Sequence, residues 1–414
     1  MTTTTATARE FKFSWTDSFL WAVRVMAIFI IIWGFVGAIA LGAQGEGLSL
    51  AAWRQLFVAG IAQGAMYGLL ALGYSMVYGV LGFINFAHGE VFMVGAIVGF
   101  FAANTLFDAG LWESNFILSI LIVLIVAMAT STFTAVLIEK IAYRPLRNAP
   151  RLIPLITSIG ISFFIQNAVQ LLVGPAVKTY PAPPTWLSNP IEFLGFRVPG
   201  TTVLVVVLAL TSMTGLWLFV ERSATGRAMR AVAEDKEIAA LMGINVDRVI
   251  ITTFAVGGAM AGVAGLMWAI MFRGVSFITG FLPGIKAFTA AVLGGIGNMA
   301  GAMFGGILLG LFEGLGPNVV LRGLAWQIPT ALAIVLVVVG VVGILGGRAL
   351  NRSGIVVLGA ATVLMGLVGV SGFTIVIPGL SQLKDVVAFT ALVLVLIFKP
   401  GGLFGERLSK EDRA

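Results

Sequence analysis

The chain has 414 residues, of which 59% are hydrophobic and only 10% charged, against about 25% charged in an average soluble domain. Its formal net charge is +7, it has no cysteine, and its one histidine is His88. Disulfides and thiolate metal sites are therefore excluded, and neither a histidine metal cluster nor a serine triad can come from this chain alone.

Apolar runs recur from end to end, and several reach the roughly 18–20 residues that cross a hydrocarbon core of about 30 Å. A soluble all-helical protein does not fit this hydropathy. Spans are predicted at 19–42, 55–81, 90–107, 116–138, 152–173, 201–220, 249–272, 328–347, 354–371 and 383–399. A Gly-rich stretch, 284–316, reads as a broken hairpin. The fold expected is an all-α polytopic transmembrane bundle of about ten spans plus that hairpin, with an inverted-repeat core. The first span ends in Ala38-Ile39-Ala40 and Ala43, which resembles a signal-peptide cleavage site. Its apolar core is long for a signal peptide, so a retained helix is expected.

With the N-terminus inside, 17 Lys and Arg residues fall on the inner side, 7 on the outer side, and Arg24 near the inner end of the first span. This follows the positive-inside rule and places both termini in the cytoplasm. It also explains the basic net charge without nucleic acid. The count requires 284–316 to leave and re-enter on the same, outer side; Lys286 is among the outer charges.

Three segments carry mechanism. The first is Gly82-Phe83-Ile84-Asn85-Phe86-Ala87-His88-Gly89-Glu90, between two spans. Asn85, His88 and Glu90 at membrane depth are costly unless they line a cavity or pair, and Gly82 and Gly89 permit an unwound backbone. One reading is that they line a translocation path, as broken helices do in many transporters. The other is a polar turn at the cytoplasmic interface, with Asn85 and Glu90 capping the next helix; a proton relay at His88 is the weaker third. The second segment, Leu293 to Gly301, is again Gly-rich. Its Asn298-Met299-Ala300 matches Asn85-Phe86-Ala87 and places Asn298 on the same path. Beyond it, Gly301, Gly305, Gly306, Gly310 and Gly314 form a smooth face for close helix packing.

The third segment is the charged inner loop 221–248. Ala233 to Gly243 reads as one short helix with Asp235 as N-cap and Gly243 as its stop. Ile238, Leu241 and Met242 share one face, framed by Glu234, Asp235 and Glu237. Such a helix can dock into a groove on a soluble partner, or lie on lipid with Arg222, Arg227 and Arg230 at phosphates. No Gly-x4-Gly-Lys-Ser/Thr loop occurs, so any ATP is bound by another chain.

At these residues the chain resembles the permease subunits of branched-chain amino acid ABC importers, of the high-affinity branched-chain transport type. The resemblance runs through Gly73 to Gly79 (GYSMVYG) into Ile84 to Glu90, then Glu139 to Arg147 (EKIAYRPLR) and Gly226 to Arg248. It continues through Lys286 to Gly310 and closes with Lys384-Asp385-Val386-Val387 and Pro400-Gly401-Gly402. It covers 55–325 and 380–405, the permease core. Residues 1–54 add an N-terminal span and loop, 326–379 insert two spans, and 380–414 hold the last core helix and tail. The resemblance implies a second permease subunit, identical or homologous, two cytoplasmic ATPases that bind ATP and Mg, and a periplasmic binding protein. It also implies that 233–243 is the ATPase-coupling helix, and that 174–200 and 273–284 meet the binding protein. The expected function is uptake of branched-chain or other apolar amino acids across the inner membrane, with no cofactor and no enzymatic activity in this chain. Urea or short amides are the alternative substrates, and a stand-alone ion-coupled transporter the alternative class.

Overall fold

The computed structural model describes residues 15–147, 149–150, 152–193, 196–349, 353–372, 383–399 and 401–405. Pro400 and the basic residues Arg9, Lys12, Arg151, Arg352, Arg407, Lys410 and Arg413 of the inner-side count lie outside them. In chain order the helices are α1 (Trp15–Ala43), α2 (Leu50–Leu81), α3 (His88–Asp108), α4 (Leu111–Ser114), α5 (Phe116–Ile138), α6 (Leu152–Val173), α7 (Thr185–Ser188) and α8 (Gly200–Arg222). There follow α9 (Ala224–Glu234), α10 (Lys236–Leu241), α11 (Val246–Phe272), α12 (Phe281–Gly294), α13 (Met299–Gly316), α14 (Thr330–Ala349), α15 (Ser353–Ser371) and α16 (Lys384–Phe398). The strands are the short β1 (Lys178–Thr179), β2 (Pro190–Phe193), β3 (Phe196–Pro199) and β4 (Gly274–Val275).

Among the described residues ten helical stretches are long and apolar enough to cross a membrane. The polytopic helical bundle is thus as expected, but its membership differs. Met299–Ala325 is one of the ten, so the second arm of the Gly-rich hairpin is one unbroken stretch long and apolar enough to cross. Only its first arm, α12, is short, at 14 residues. The reason is geometric: the glycines of α13 recur at helical spacing and open it to close neighbours, while the chain breaks only at 295–298, where Gly295 and Gly297 take positive φ. The last helix, α16, has 15 residues, about 22 Å at 1.5 Å per residue.

The chain forms two compact units. One holds residues 1–49 and 316–383, the other 50–315 and 384–414. In the first, α1 packs on the turn 317–325. Trp33 is buried and its indole N–H donates to the Trp326 carbonyl at 3.3 Å. An added Cβ at Gly37 would lie 2.0 Å from the Gly323 carbonyl oxygen. Packing this close fits a retained helix better than a cleaved signal. In the same unit α14 and α15 meet through Gly340 and Gly359, where a Cβ on either would come within 2.7 Å of the other's carbonyl oxygen. The N-terminal helix and the two helices read as inserted are therefore partners in one unit, whose boundary falls at Gly316.

The second unit is built around α2, which packs against α8, α11 and α12. One face of α2, Gly60, Gly64 and Gly68, lies directly on Gly306, Gly310 and Gly314 of α13. Lipid gives apolar helices no reason to separate from it, so this approach of backbones supplies the association through dispersion contact. Two segments on the side assigned to the outside are joined: β1 pairs with β4, and Tyr180 donates to the Ala96 carbonyl at 2.6 Å. Burial pushes the Tyr180 phenol far above its ordinary value, so it remains a donor. Arg273, in the left-handed region at φ 59°, closes the joint with its guanidinium 3.0 Å from the Tyr180 carbonyl.

Candidate functional site: a buried polar turn and an exposed short helix

The helix α2 runs on to Leu81, where Gly82, at φ 78°, turns the chain. Residues 82–87 then climb back into the protein, because His88 packs on Gly73. An added Cβ at Gly73 would lie 2.2 Å from His88 Nε2. Gly73 precedes Leu81 by eight residues, about 12 Å of helix, so α3 starts well inside the bundle. The irregular backbone is tolerated at this depth because protein, not lipid, surrounds it.

Asn85, His88 and Glu90 are all buried on this turn. The Tyr143 hydroxyl donates to Asn85 Oδ1 at 2.7 Å, and its ring lies 5.1 Å from that of Phe83. His88 stands edge-on to Tyr74 at 4.9 Å. Glu90 Oε1 accepts from Gln166 at 2.7 Å and from Ser162 at 3.1 Å. The capping alternative is thereby corrected. The N-cap of α3 is Ala87, with no side-chain cap bond, because Asn85 is drawn to Tyr143 and Glu90 to α6.

Asn298 is not part of this turn. It is exposed, accepts from the Gly301 amide at 2.9 Å and donates to the Phe404 carbonyl at 3.1 Å. It therefore caps α13 and holds the segment after α16. The short Asn-apolar-Ala match between the two segments does not make a matched pair of sites. The link between hairpin and α2 runs instead through the Gly297 amide, which donates to Ser75 Oγ at 2.9 Å. Beside that link an open cleft of about 380 Å³ lies among Ser75, Gly79, Arg230, Ala233, Thr253 and Gly297.

The inner loop also departs from expectation. Residues 233–243 are not one helix: Ala233 and Glu234 end α9, and α10 starts afresh at Lys236. Asp235 is extended between them, and its carboxylate accepts from the Glu237 and Ile238 amides at 2.8 and 2.9 Å. That capping is what interrupts the helix, since an N-cap residue leaves the helical region. Gly243 ends α10 at φ 83°. Ile238, Leu241 and Met242 are 59%, 87% and 78% exposed, an apolar face that nothing among the described residues covers.

The helix α10 is tied to the buried turn. Lys236 Nζ donates to the Leu81 carbonyl at 3.1 Å, at the residue where α2 ends. Asp247, in the first turn of α11, pairs with Arg144 at 3.2 Å and with Arg147, which also pairs with the fully buried Glu139. Glu139 opens a π-helical turn that ends at Tyr143, the donor to Asn85.

Two groups of polar residues escaped the sequence reading. Ser158, Ser162 and Gln166 recur every four residues in the apolar α6 and are buried, Ser162 and Gln166 against Glu90 of α3; that spacing was the available signal. The second is an ion cluster. Lys286 of α12 was expected among the outer charges. It is buried instead, 2.9 Å from Glu313 and 2.6 Å from Asp385, while Gln63 donates to Glu313 at 2.8 Å. A lone charge in each of α12 and α13 was the signal, because charges inside a bundle must pair.

Comparison with known proteins decides the family. Residues 56–345 match the family described as Branched-chain amino acid transport system / permease component. The chain belongs to this family, and is a permease component of a branched-chain amino acid transport system. The match runs beyond the core as read from the sequence, into α14. The chain is 41% identical to the high-affinity branched-chain amino acid transport system permease protein BraD of Pseudomonas aeruginosa, over 85% of this chain and 96% of that protein. It is 40% identical to the permease LivH of Escherichia coli K12, over 69% of this chain and 93% of that protein. Among solved structures, PsaBC from Streptococcus pneumoniae in complex with Fab is similar at TM-score 0.32 and 13% identity, over 79% of this chain and 94% of that one.

Proposed function

We propose that this permease works as one half of the membrane path of an ABC importer in the bacterial inner membrane, with both termini in the cytoplasm. A second permease subunit, identical or homologous, completes the path. Two cytoplasmic ATPases bind ATP and Mg and drive it, and a periplasmic binding protein delivers branched-chain or other apolar amino acids. The observation that carries this reading is α10: a capped helix presenting Ile238, Leu241 and Met242 to solvent within a charged frame of Glu234, Asp235 and Glu237. The three acidic residues disfavour contact with lipid phosphates and suit a protein groove.

The ties described above supply the transmission. When the ATPases close, α10 moves with them; Lys236 and the Asp247–Arg147–Glu139 chain carry that motion to Leu81 and to Tyr143–Asn85. The turn 82–90, with Asn85, His88 and Glu90, is the element that responds on the path. The branched-chain relatives favour amino acids over urea.

Leu241→Asp tests the docking face. It should abolish binding-protein-stimulated ATPase activity while the permease still inserts; unchanged activity would return α10 to the lipid surface. Uptake that persists after ATP is depleted, with the ion gradient intact, would instead support the stand-alone ion-coupled transporter.

A further inference from the structure

The first turns of α3 and α12 meet without side chains between them. A Cβ on Gly89 would lie 2.5 Å from the Gly280 carbonyl oxygen and 2.9 Å from Gly284 Cα. A Cβ on Gly280 would lie 2.4 Å from the Gly89 carbonyl oxygen and 2.7 Å from Glu90 Oε2. The second carboxylate oxygen of Glu90 therefore faces this seam, while the first is held by Ser162 and Gln166.

Glu90 Oε2 at the seam has no hydrogen-bond partner among the described residues, and neither has His88 Nε2, which packs on Gly73 of α2; the Tyr74 hydroxyl sits by the Gly89 amide. The Tyr74 hydroxyl lies 3.4 Å from where a Gly284 Cβ would be, and its ring contacts that of His88. Buried polar groups are almost always satisfied, and an orphan needs an explanation. A carboxylate oxygen left open at a backbone seam points to a partner that enters when the helices part. A carboxylate with a phenol oxygen beside it suits a compact cation with several N–H donors, and an ammonium group has three. Next to them Phe86 and Phe288 pair at 5.5 Å, and Phe288 lies 6.1 Å from Tyr74, an apolar wall beside the charge.

We infer that the seam between α3 and α12 is the occluded seat of the transported amino acid, with Glu90 as counter-ion to its ammonium group and Phe86 and Phe288 against its apolar side chain. The glycines make the seat closable: with no Cβ at 89, 280 or 284, the two helix starts seal on each other once the substrate has left. This rests on the permease reading above and names the substrate contact within it.

The test uses the complete transporter, with its second permease, ATPases and binding protein, in proteoliposomes. Glu90→Gln should lower ATP-driven leucine uptake at least tenfold while the binding protein still stimulates ATP hydrolysis. Uptake equal to wild type would overturn the assignment. If Glu90→Gln fails to assemble, wild type decides: a diazirine leucine analogue, photolysed in the vanadate-trapped complex, should label peptides containing 86–90 or 280–288. Label confined to other helices would overturn the seat. No ATP-driven leucine uptake by wild type would sink the permease reading itself, a separate failure.

Discussion

Gly306 gives the sharpest test of the packing that carries the site. Here α13 crosses α2 so closely that a Cβ at Gly306 would sit 2.2 Å from both Cα and N of Gly68, and 2.9 Å from the Gly64 carbonyl oxygen. Carbon atoms in contact stand about 3.5–4.0 Å apart, so Gly306→Ala forces the helices to part by more than about 1 Å. The clashing atoms are backbone and cannot rotate aside. The parting also loosens Gly310 and Gly314, which share the face. Overpacking of this kind costs about 1–3 kcal/mol. Gly215, within α8, is the control, since an added Cβ there meets nothing within 4 Å. Gly215→Ala should stabilise by up to about 1 kcal/mol through helix propensity alone. The purified permease would be heated in detergent and the folded fraction followed by size-exclusion chromatography. Gly306→Ala should lower the midpoint by a few degrees, and Gly215→Ala should leave it unchanged or raise it. A Gly306→Ala protein as stable as wild type would refute the contact between α2 and α13.

Lys286→Met leaves Glu313 and Asp385 without their buried counter-ion and should cost about 3–5 kcal/mol in the same heating series, with part recovered in the double variant Lys286→Met/Glu313→Gln. Tyr143→Phe removes the donor to Asn85 Oδ1; an orphaned buried acceptor costs about 1–3 kcal/mol, so both the midpoint and leucine uptake should fall, and normal uptake would detach the turn from transport. Arg147→Ala should uncouple ATP hydrolysis from uptake more severely than Lys236→Ala, measured as leucine imported per ATP hydrolysed; equal ratios would contradict the transmission route.

Most of the membrane architecture was legible from hydropathy and charge, because lipid forces the backbone into helices. The exceptions have local causes. Asp235 was recognised as a cap, but its consequence, that 233–234 belong to a different helix, required seeing α9 packed through Met229 and Val232. Lys286 was assigned to the outside because counting charges by side ignores depth, and only the approach of Glu313 and Asp385 shows it to be internal. Asn85 and Asn298 look alike in sequence, yet one is buried against Tyr143 and the other caps a helix in solvent. The difference lies in what Tyr143 and Phe404 bring to each, and neither is near in sequence. His88 and Gly73 illustrate the same limit: their fit spans 15 positions and depends on the chain doubling back after Gly82.

The two links to the buried turn, from Lys236 of α10 and from Asp247 of α11, differ in kind. Lys236 donates to the Leu81 carbonyl at an exposed site, where water competes and the long side chain must be ordered. The other route enters the protein. Arg147 binds Asp247 with one nitrogen and Glu139 with the other, and Glu139 is fully buried. A buried carboxylate cannot let its guanidinium go without exposing an unpaired charge to a low dielectric. Arg147 and Glu139 are thus bound to move together, whereas Asp247 is about half exposed and its hold on Arg147 is open to water. Glu139 and Tyr143 are the two ends of one π-helical turn, so a shift of Arg147 would reach the Tyr143–Asn85 bond through it. Within the coupling proposed above, the buried Arg147–Glu139 pair is the part of the route that holds the turn most firmly, and the comparison of Arg147→Ala with Lys236→Ala tests it.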